Sequence, residues 1–235
     1  MGKVALNAFM SKVSGKVGTA VFADTKEGIV LKQWVSPSNP STPAQVAVRA
    51  NLSKVTKLFK NFSPTQNAAW KGYAQTWNET SETTGKVFNL SAISAFVKLG
   101  TKFLQVNPTG TVPTTPPLTV FTGDALTVTT TSNTGVITFT ASGANATNVK
   151  TELLIQKLNS LNCVPSSNGY RSKGFFAFTA GTLTTNVTLP NGVYATGYRF
   201  VNTVTGQETA VVPLTIVPLL AVTAGGKGKD VEKAA

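Results

Sequence analysis

Arg49, Lys54, Lys57 and Lys60 are the residues of this chain whose types and spacing most plainly suggest chemistry. They lie in the stretch NPSTPAQVAVRANLSKVTKLFKNF, residues 39–62, which contains no acid. Wound as a helix at about 100° per residue, the four cations share an arc of about 140°. Val48, Leu52, Val55, Leu58, Phe59 and Phe62 share an opposing arc of about 120°. Such a helix buries one face and offers the other to an anion: nucleic-acid phosphates, an acidic protein surface, or, in the plainest case, water alone. These four residues are the candidate anionic-partner face.

Little else in the chain suggests reactivity. Its 235 residues include no histidine, one cysteine and nine Asp or Glu. Without histidine there is no imidazole base, no imidazole metal ligand and no Ser-His or Cys-His nucleophile. Cys163, being alone, forms no internal disulfide and no cysteine zinc site. Asp230 and Glu232 fall in a tail and Asp24 and Glu27 in an expected turn, which leaves few carboxylates for an acid–base pair. SGKVGT (14–19) and TGKV (84–87) lack the Gly-x4-Gly-Lys-Ser/Thr spacing of a phosphate loop. The reading is a non-enzyme with no catalytic residue, no metal and no cofactor.

The charge is uneven. The formal net charge is +12, with 13 Lys/Arg against 4 Asp/Glu in residues 1–110 and 8 against 5 in residues 111–235. The basic character therefore belongs to the first half, which is where an anionic partner is expected. No apolar run approaches the roughly 18 residues that span a bilayer. Lys3, Asn7 and Lys12 interrupt the N-terminal stretch as well, so neither a secretory signal nor a membrane partner is expected.

Three segments follow one another. VGTAVFA and GIVLKQWV, joined by DTKEG, predict a β-hairpin. Alternation places Val17, Thr19 and Val21 on one face of its first strand. Thr42-Pro43-Ala44-Gln45 and Ser63-Pro64-Thr65-Gln66 are capping boxes with proline at the first helical position, and they predict helices over 43–61 and 64–78. Ala69, Trp70, Tyr73 and Trp77 align on the second helix. Trp70 and Trp77 are thus expected as core residues rather than stacking platforms. A third helix begins near Ser91, carries Ile93, Phe96, Val97, Phe103 and Leu104, and is weakened in its middle by Gly100.

NPTGTVPTTPPL, residues 107–118, reads as a semi-rigid linker. LTVF, ALTVTTT, GVITFTA, KTELLIQKL, GFFAFTA, TLTTNVTL, GVYATGYRFVNTV and TAVVPLTIV then supply seven or eight short strands, the pattern of an antiparallel sandwich of immunoglobulin or fibronectin type III kind. The run Leu189-Pro190-Asn191-Gly192-Val193-Tyr194 resembles the tyrosine corner of fibronectin type III domains. That resemblance implies that the Tyr194 hydroxyl bonds back to the preceding backbone.

The fold class read from the chain is α+β and multidomain. Residues 1–107 form a basic hairpin-plus-helices assembly domain, 108–117 the Pro/Thr linker, 118–218 the sandwich and 219–235 a flexible tail.

Further short motifs stand in the first half: Val13-Ser14-Gly15-Lys16-Val17-Gly18; Asn39-Pro40-x-Thr42-Pro43-Ala44-Gln45 followed by Arg49; Phe62-Ser63-Pro64 with Gln66 and Ala68-Ala69-Trp70; and Ser94-Ala95-Phe96-Val97. On these the chain resembles a family met in tailed phages and prophages, one with no established activity. Many of its members continue through a proline-rich linker into a fibronectin-like sandwich. The resemblance implies a virion structural role in capsid, decoration or tail. Partners would be other virion proteins, the chain itself and, through the basic face, DNA bound without sequence preference.

Overall fold

The computed structural model describes residues 2–4, 13–25, 28–36, 41–80 and 87–219. Two compact units divide the chain, Met1–Val46 and Ala47–Ala235. Lys26 and Glu27 of the expected turn, Asn39 and Pro40, residues 84–86 and the tail from residue 220 onward lie outside the described residues.

The first unit is a four-stranded antiparallel sheet built from β1 (Gly2–Val4), β2 (Gly15–Val17), β3 (Ala20–Thr25) and β4 (Gly28–Gln33), in the order β1-β4-β3-β2. The predicted hairpin is β3 with β4, in register from Ala20↔Gln33 to Thr25↔Gly28. Its first strand divides, however. Gly18 and Thr19 turn the chain so that Val17 pairs Ala20, and Val17, Thr19 and Val21 do not share one strand face.

The second unit begins within α1 (Pro43–Lys60); α1 and α2 (Pro64–Thr76) start at the predicted boxes. Gln66 N donates to Ser63 Oγ (3.2 Å) and Ser63 N to Gln66 Oε1 (2.9 Å); Gln45 N and Thr42 Oγ1 repeat the arrangement more loosely at 3.4 Å. A small hairpin of β5 (Asn78–Thr80) and β6 (Val87–Asn89) leads to α3 (Ala92–Val106), capped where Ser94 N donates to Ser91 Oγ at 3.2 Å. The helical core gathers Val55, Trp70, Ala74, Phe96, Leu99 and Leu104, with Phe96 central. Its ring centroid lies 4.8 Å from Phe62, 5.0 Å from Trp70 and 5.7 Å from Phe59.

The apolar arc of α1 is only partly used. Val48 and Leu52 are exposed (58% and 46%), because only α1 from Val55 onward packs into this core. Ala69 and Ile93 also face outward. Gly100 has a packing reason: a Cβ there would stand 2.8 Å from Val55 Cγ1 and 3.2 Å from Val112 Cγ1, so α1 and α3 approach as closely as they do only over a glycine.

Val112 is buried in the helical core, and Trp70 Nε1 donates to Thr114 O at 2.8 Å. The proline-rich segment is therefore a strap seated on the helices rather than a solvated spacer. At its start Asn107 Nδ2 donates to Thr203 O (2.7 Å), a bond from the end of α3 to the sandwich.

The sandwich consists of β7 (Val128–Asn133), β8 (Val136–Ala141), β9 (Val149–Leu158), β10 (Arg171–Phe176), β11 (Thr184–Thr188), β12 (Gly192–Asn202) and β13 (Val212–Leu219). One sheet has the order β11-β8-β7 and the other β10-β9-β12-β13, all antiparallel. Between them lies a core of Ile137, Phe139, Leu153, Ile155, Tyr198 and Phe200, among others. Tyr194 Oη donates to Pro190 O at 2.7 Å, which is the tyrosine corner.

LTVF (118–121) forms no strand: Leu118 and Val120 are exposed (100% and 86%), and no strand of the sandwich pairs with them. Leu219, assigned to the tail, instead ends β13 and packs in the core.

Two substitutions test this account by thermal denaturation. Tyr194→Phe should cost about 1 kcal/mol, the usual worth of one intramolecular hydrogen bond. Gly100→Ala sets a helix-propensity gain of about 1 kcal/mol against overpacking on Val55 that costs about 1–3 kcal/mol. Net destabilisation is expected, and a raised melting temperature would show that the helices can separate.

Candidate functional site

Arg49, Lys54, Lys57 and Lys60 are all exposed along α1, as the helical spacing requires. Lys71 on α2 is exposed too, an addition that the periodicity of α1 alone could not supply. Trp70 is buried and bonded to the strap, so it is not a stacking platform. Trp77 is half-buried; the Lys98 ammonium sits 4.6 Å above its ring and Tyr73 meets it edge-on at 5.7 Å.

Three acids of this unit, Asp124, Glu152 and Glu208, are engaged in contacts inside it. Asp124 Oδ2 accepts from Ala146 N (2.8 Å) and Asn145 Nδ2 (3.3 Å), and its Oδ1 from Ala125 N (2.8 Å). It thereby ties the segment before β7 to the β8–β9 loop.

Glu152 and Glu208 join Lys102 and Arg199 in a ring of four charges. Lys102 Nζ lies 3.1 Å from Glu152 Oε2 and 3.0 Å from Glu208 Oε2. Arg199 Nε lies 2.6 Å from Glu152 Oε2, and its Nη1 3.0 Å from Glu208 Oε1. Glu208 Oε2 is held by charge alone, since its approach to Lys102 lacks hydrogen-bond direction.

This ring joins three elements. Lys102 comes from α3, Glu152 from β9 and Arg199 from β12, where Arg199 and Glu152 are register partners. Glu208 comes from the β12–β13 loop, which Gly206 lays against α3. There φ is +75°, and a Cβ would stand 2.3 Å from Leu99 O, so the contact needs glycine.

Burial alone would raise the pKa of Glu152. The Arg199 hydrogen bond and the charges of Lys102 and Arg199 outweigh it, with help from Ser172, and hold the carboxyl below its ordinary range. No local pattern records this ring: Lys102 and Glu152 are 50 residues apart and Glu152 and Arg199 47, and only Arg199 and Glu208 are near one another in the chain.

Cys163 lies in a loop where the Ser160 hydroxyl, 3.3 Å away, together with backbone groups, lowers its thiol pKa. No cluster of metal-ligating side chains occurs among the described residues. Among them, too, no helix is long and apolar enough to cross a membrane.

The architecture defines a class: a helical unit joined to a sandwich of the fibronectin type III or immunoglobulin-like kind, with α+β content. The sequence matches no protein-family profile and no curated protein. Among solved structures the chain is similar to the solution structure of a fourth FNIII domain from human. The identity is 15% over 51% of this chain and 100% of that one, with a TM-score of 0.28. A likeness at that score carries no weight; the strand order and the tyrosine corner define the class here.

Glu152 is 1% exposed, and removing its charge leaves Lys102 and Arg199 to share Glu208 alone, so Glu152→Gln should cost about 3 kcal/mol. Its folded pKa is lowered, so its contribution is complete above the ordinary carboxylate pKa, about 4.3, and is lost as pH falls through the lowered folded value. Urea unfolding from neutral to acid pH should show wild type losing its advantage over the variant. A constant difference would contradict the ring.

Proposed function

We propose that this chain is a structural protein of a phage virion, a minor capsid, decoration or tail component, rather than an enzyme. It docks through its basic N-terminal half onto other virion proteins or further copies of itself and displays the sandwich outward. One observation carries the reading: the buried ring of Lys102, Glu152, Arg199 and Glu208 couples α3 to the sandwich, while α1 exposes Arg49, Lys54, Lys57 and Lys60. A platform joined firmly to a displayed module, with a positive outer face, suits attachment to an acidic surface. The resemblance of the short motifs to a tailed-phage family suggests the setting, and the virion is the proposed location.

A second reading has the exposed arc of Arg49, Lys54, Lys57 and Lys60 in its favour: nonspecific contact with nucleic-acid phosphates. Light scattering after size-exclusion chromatography, at low and high salt with and without short duplex DNA, separates the two. A salt-resistant oligomer indifferent to DNA supports docking on protein. A monomer that migrates with DNA only at low salt supports the alternative, and changing all four residues to glutamine should then flatten the salt dependence.

Mass spectrometry of density-banded particles from cells producing this chain should find it among the virion proteins. Its absence from particles, together with failure to self-associate, would overturn the proposal.

A further inference from the structure

The end of α2, the extended residues before β7 and the β12–β13 loop enclose a groove of about 410 Å³. That volume lies in the range of small-molecule sites, about 300–1,000 Å³. Tyr73, Trp77 and Phe121 give it aromatic walls, and Thr76, Gln207 and Glu208 give it polar ones. Val120 stands at the edge, 86% exposed.

Electrostatics narrow the ligand. Glu208 is already neutralised by Lys102 and Arg199, so the groove presents no unpaired carboxylate to attract a cation. The Lys98 ammonium is drawn over the Trp77 ring. What remains are ring surfaces and neutral hydrogen-bonding groups. Gln207 is fixed in place: its Nε2 donates to Thr119 O (3.0 Å) and its Oε1 accepts from Thr205 Oγ1 (3.0 Å). Burial raises the pKa of the Tyr73 hydroxyl, so it stays a neutral phenol on the same groove as Gln207. Thr76 adds a second hydroxyl. A matching ligand is uncharged, ring-shaped, apolar on one face and hydroxylated at its edge.

We propose that this groove binds a neutral saccharide ring, stacked on the aromatic wall with its hydroxyls on Tyr73, Thr76 and Gln207. The site belongs to the helix–sandwich junction and does not depend on the chain being a virion component.

Saturation-transfer NMR of the full chain with millimolar methyl glycosides of glucose, galactose and N-acetylglucosamine tests it. Transfer to the ring protons of at least one glycoside is expected. Val120→Arg should abolish that transfer and leave the melting temperature unchanged, because the native side chain is exposed. Tyr73→Phe should weaken binding by up to about tenfold, the scale of one hydrogen bond. No transfer to any glycoside, or transfer that both variants leave intact, overturns the proposal. So does binding of N-acetylphenylalanine amide in place of the sugars, which would make the groove a peptide site.

Discussion

A carboxylate placed on the outer face of a β-sheet and then covered by a helix must find cations or lose its charge. Glu152 is in that position. On β9, Leu153 and Ile155 point into the sandwich core, while Glu152 and Leu154 take the opposite face and are buried as well. On β12, Tyr194, Tyr198 and Phe200 point inward, and Ala195 and Val201 are buried on the other side. The two central strands are thus covered on both faces. Lys102 from α3 and Arg199 from β12 make burial of Glu152 tolerable, and Glu208 completes the neutral ring.

Asp124, bonded to backbone amides and Asn145, and the two glutamates of the ring all serve internal contacts, while Lys54, Lys57 and Lys60 lie exposed on α1. Buried ion pairs are weak sources of net stability, but breaking one by removing a single partner is costly. The ring is better understood as fixing where α3 sits than as strengthening the fold. Placement of α3 in turn places α2, the strap and the aromatic groove at the junction.

The strap shows how composition can mislead. Four prolines and several threonines describe a spacer, and the prolines do stiffen the segment. Yet a rigid extended segment is also a good lid, because it loses little conformational freedom on packing. Val112 fills the helical core and Thr114 O receives the Trp70 indole proton, leaving that buried donor satisfied. The exposed Leu118 and Val120 follow where the strap leaves the helices, and there a hydrophobic run lacks the partner strand that would have made it β-structure.

The sequence by itself determined the helix starts and most of the strands, which local rules govern. Capping boxes at Thr42 and Ser63 set helix starts, since the side chain and the amides it satisfies are three residues apart. Short β-prone runs between turn residues predicted seven or eight strands, of which seven form, and the run Leu189–Tyr194 resembled the corner that the Tyr194 bond to Pro190 O makes. The exposed arc of lysines was legible for the same reason, as a consequence of helical pitch. Tertiary structure alone decided which parts of those faces are covered, splitting the apolar arc of α1 at Val55. It also turned Gly100 from a weak point into a close contact and brought Lys102, Glu152, Arg199 and Glu208 together. Apart from Arg199 and Glu208 on one hairpin, the paired members are 47 residues or more apart, so no local periodicity records their meeting; it exists only once a helix lies on the sheet.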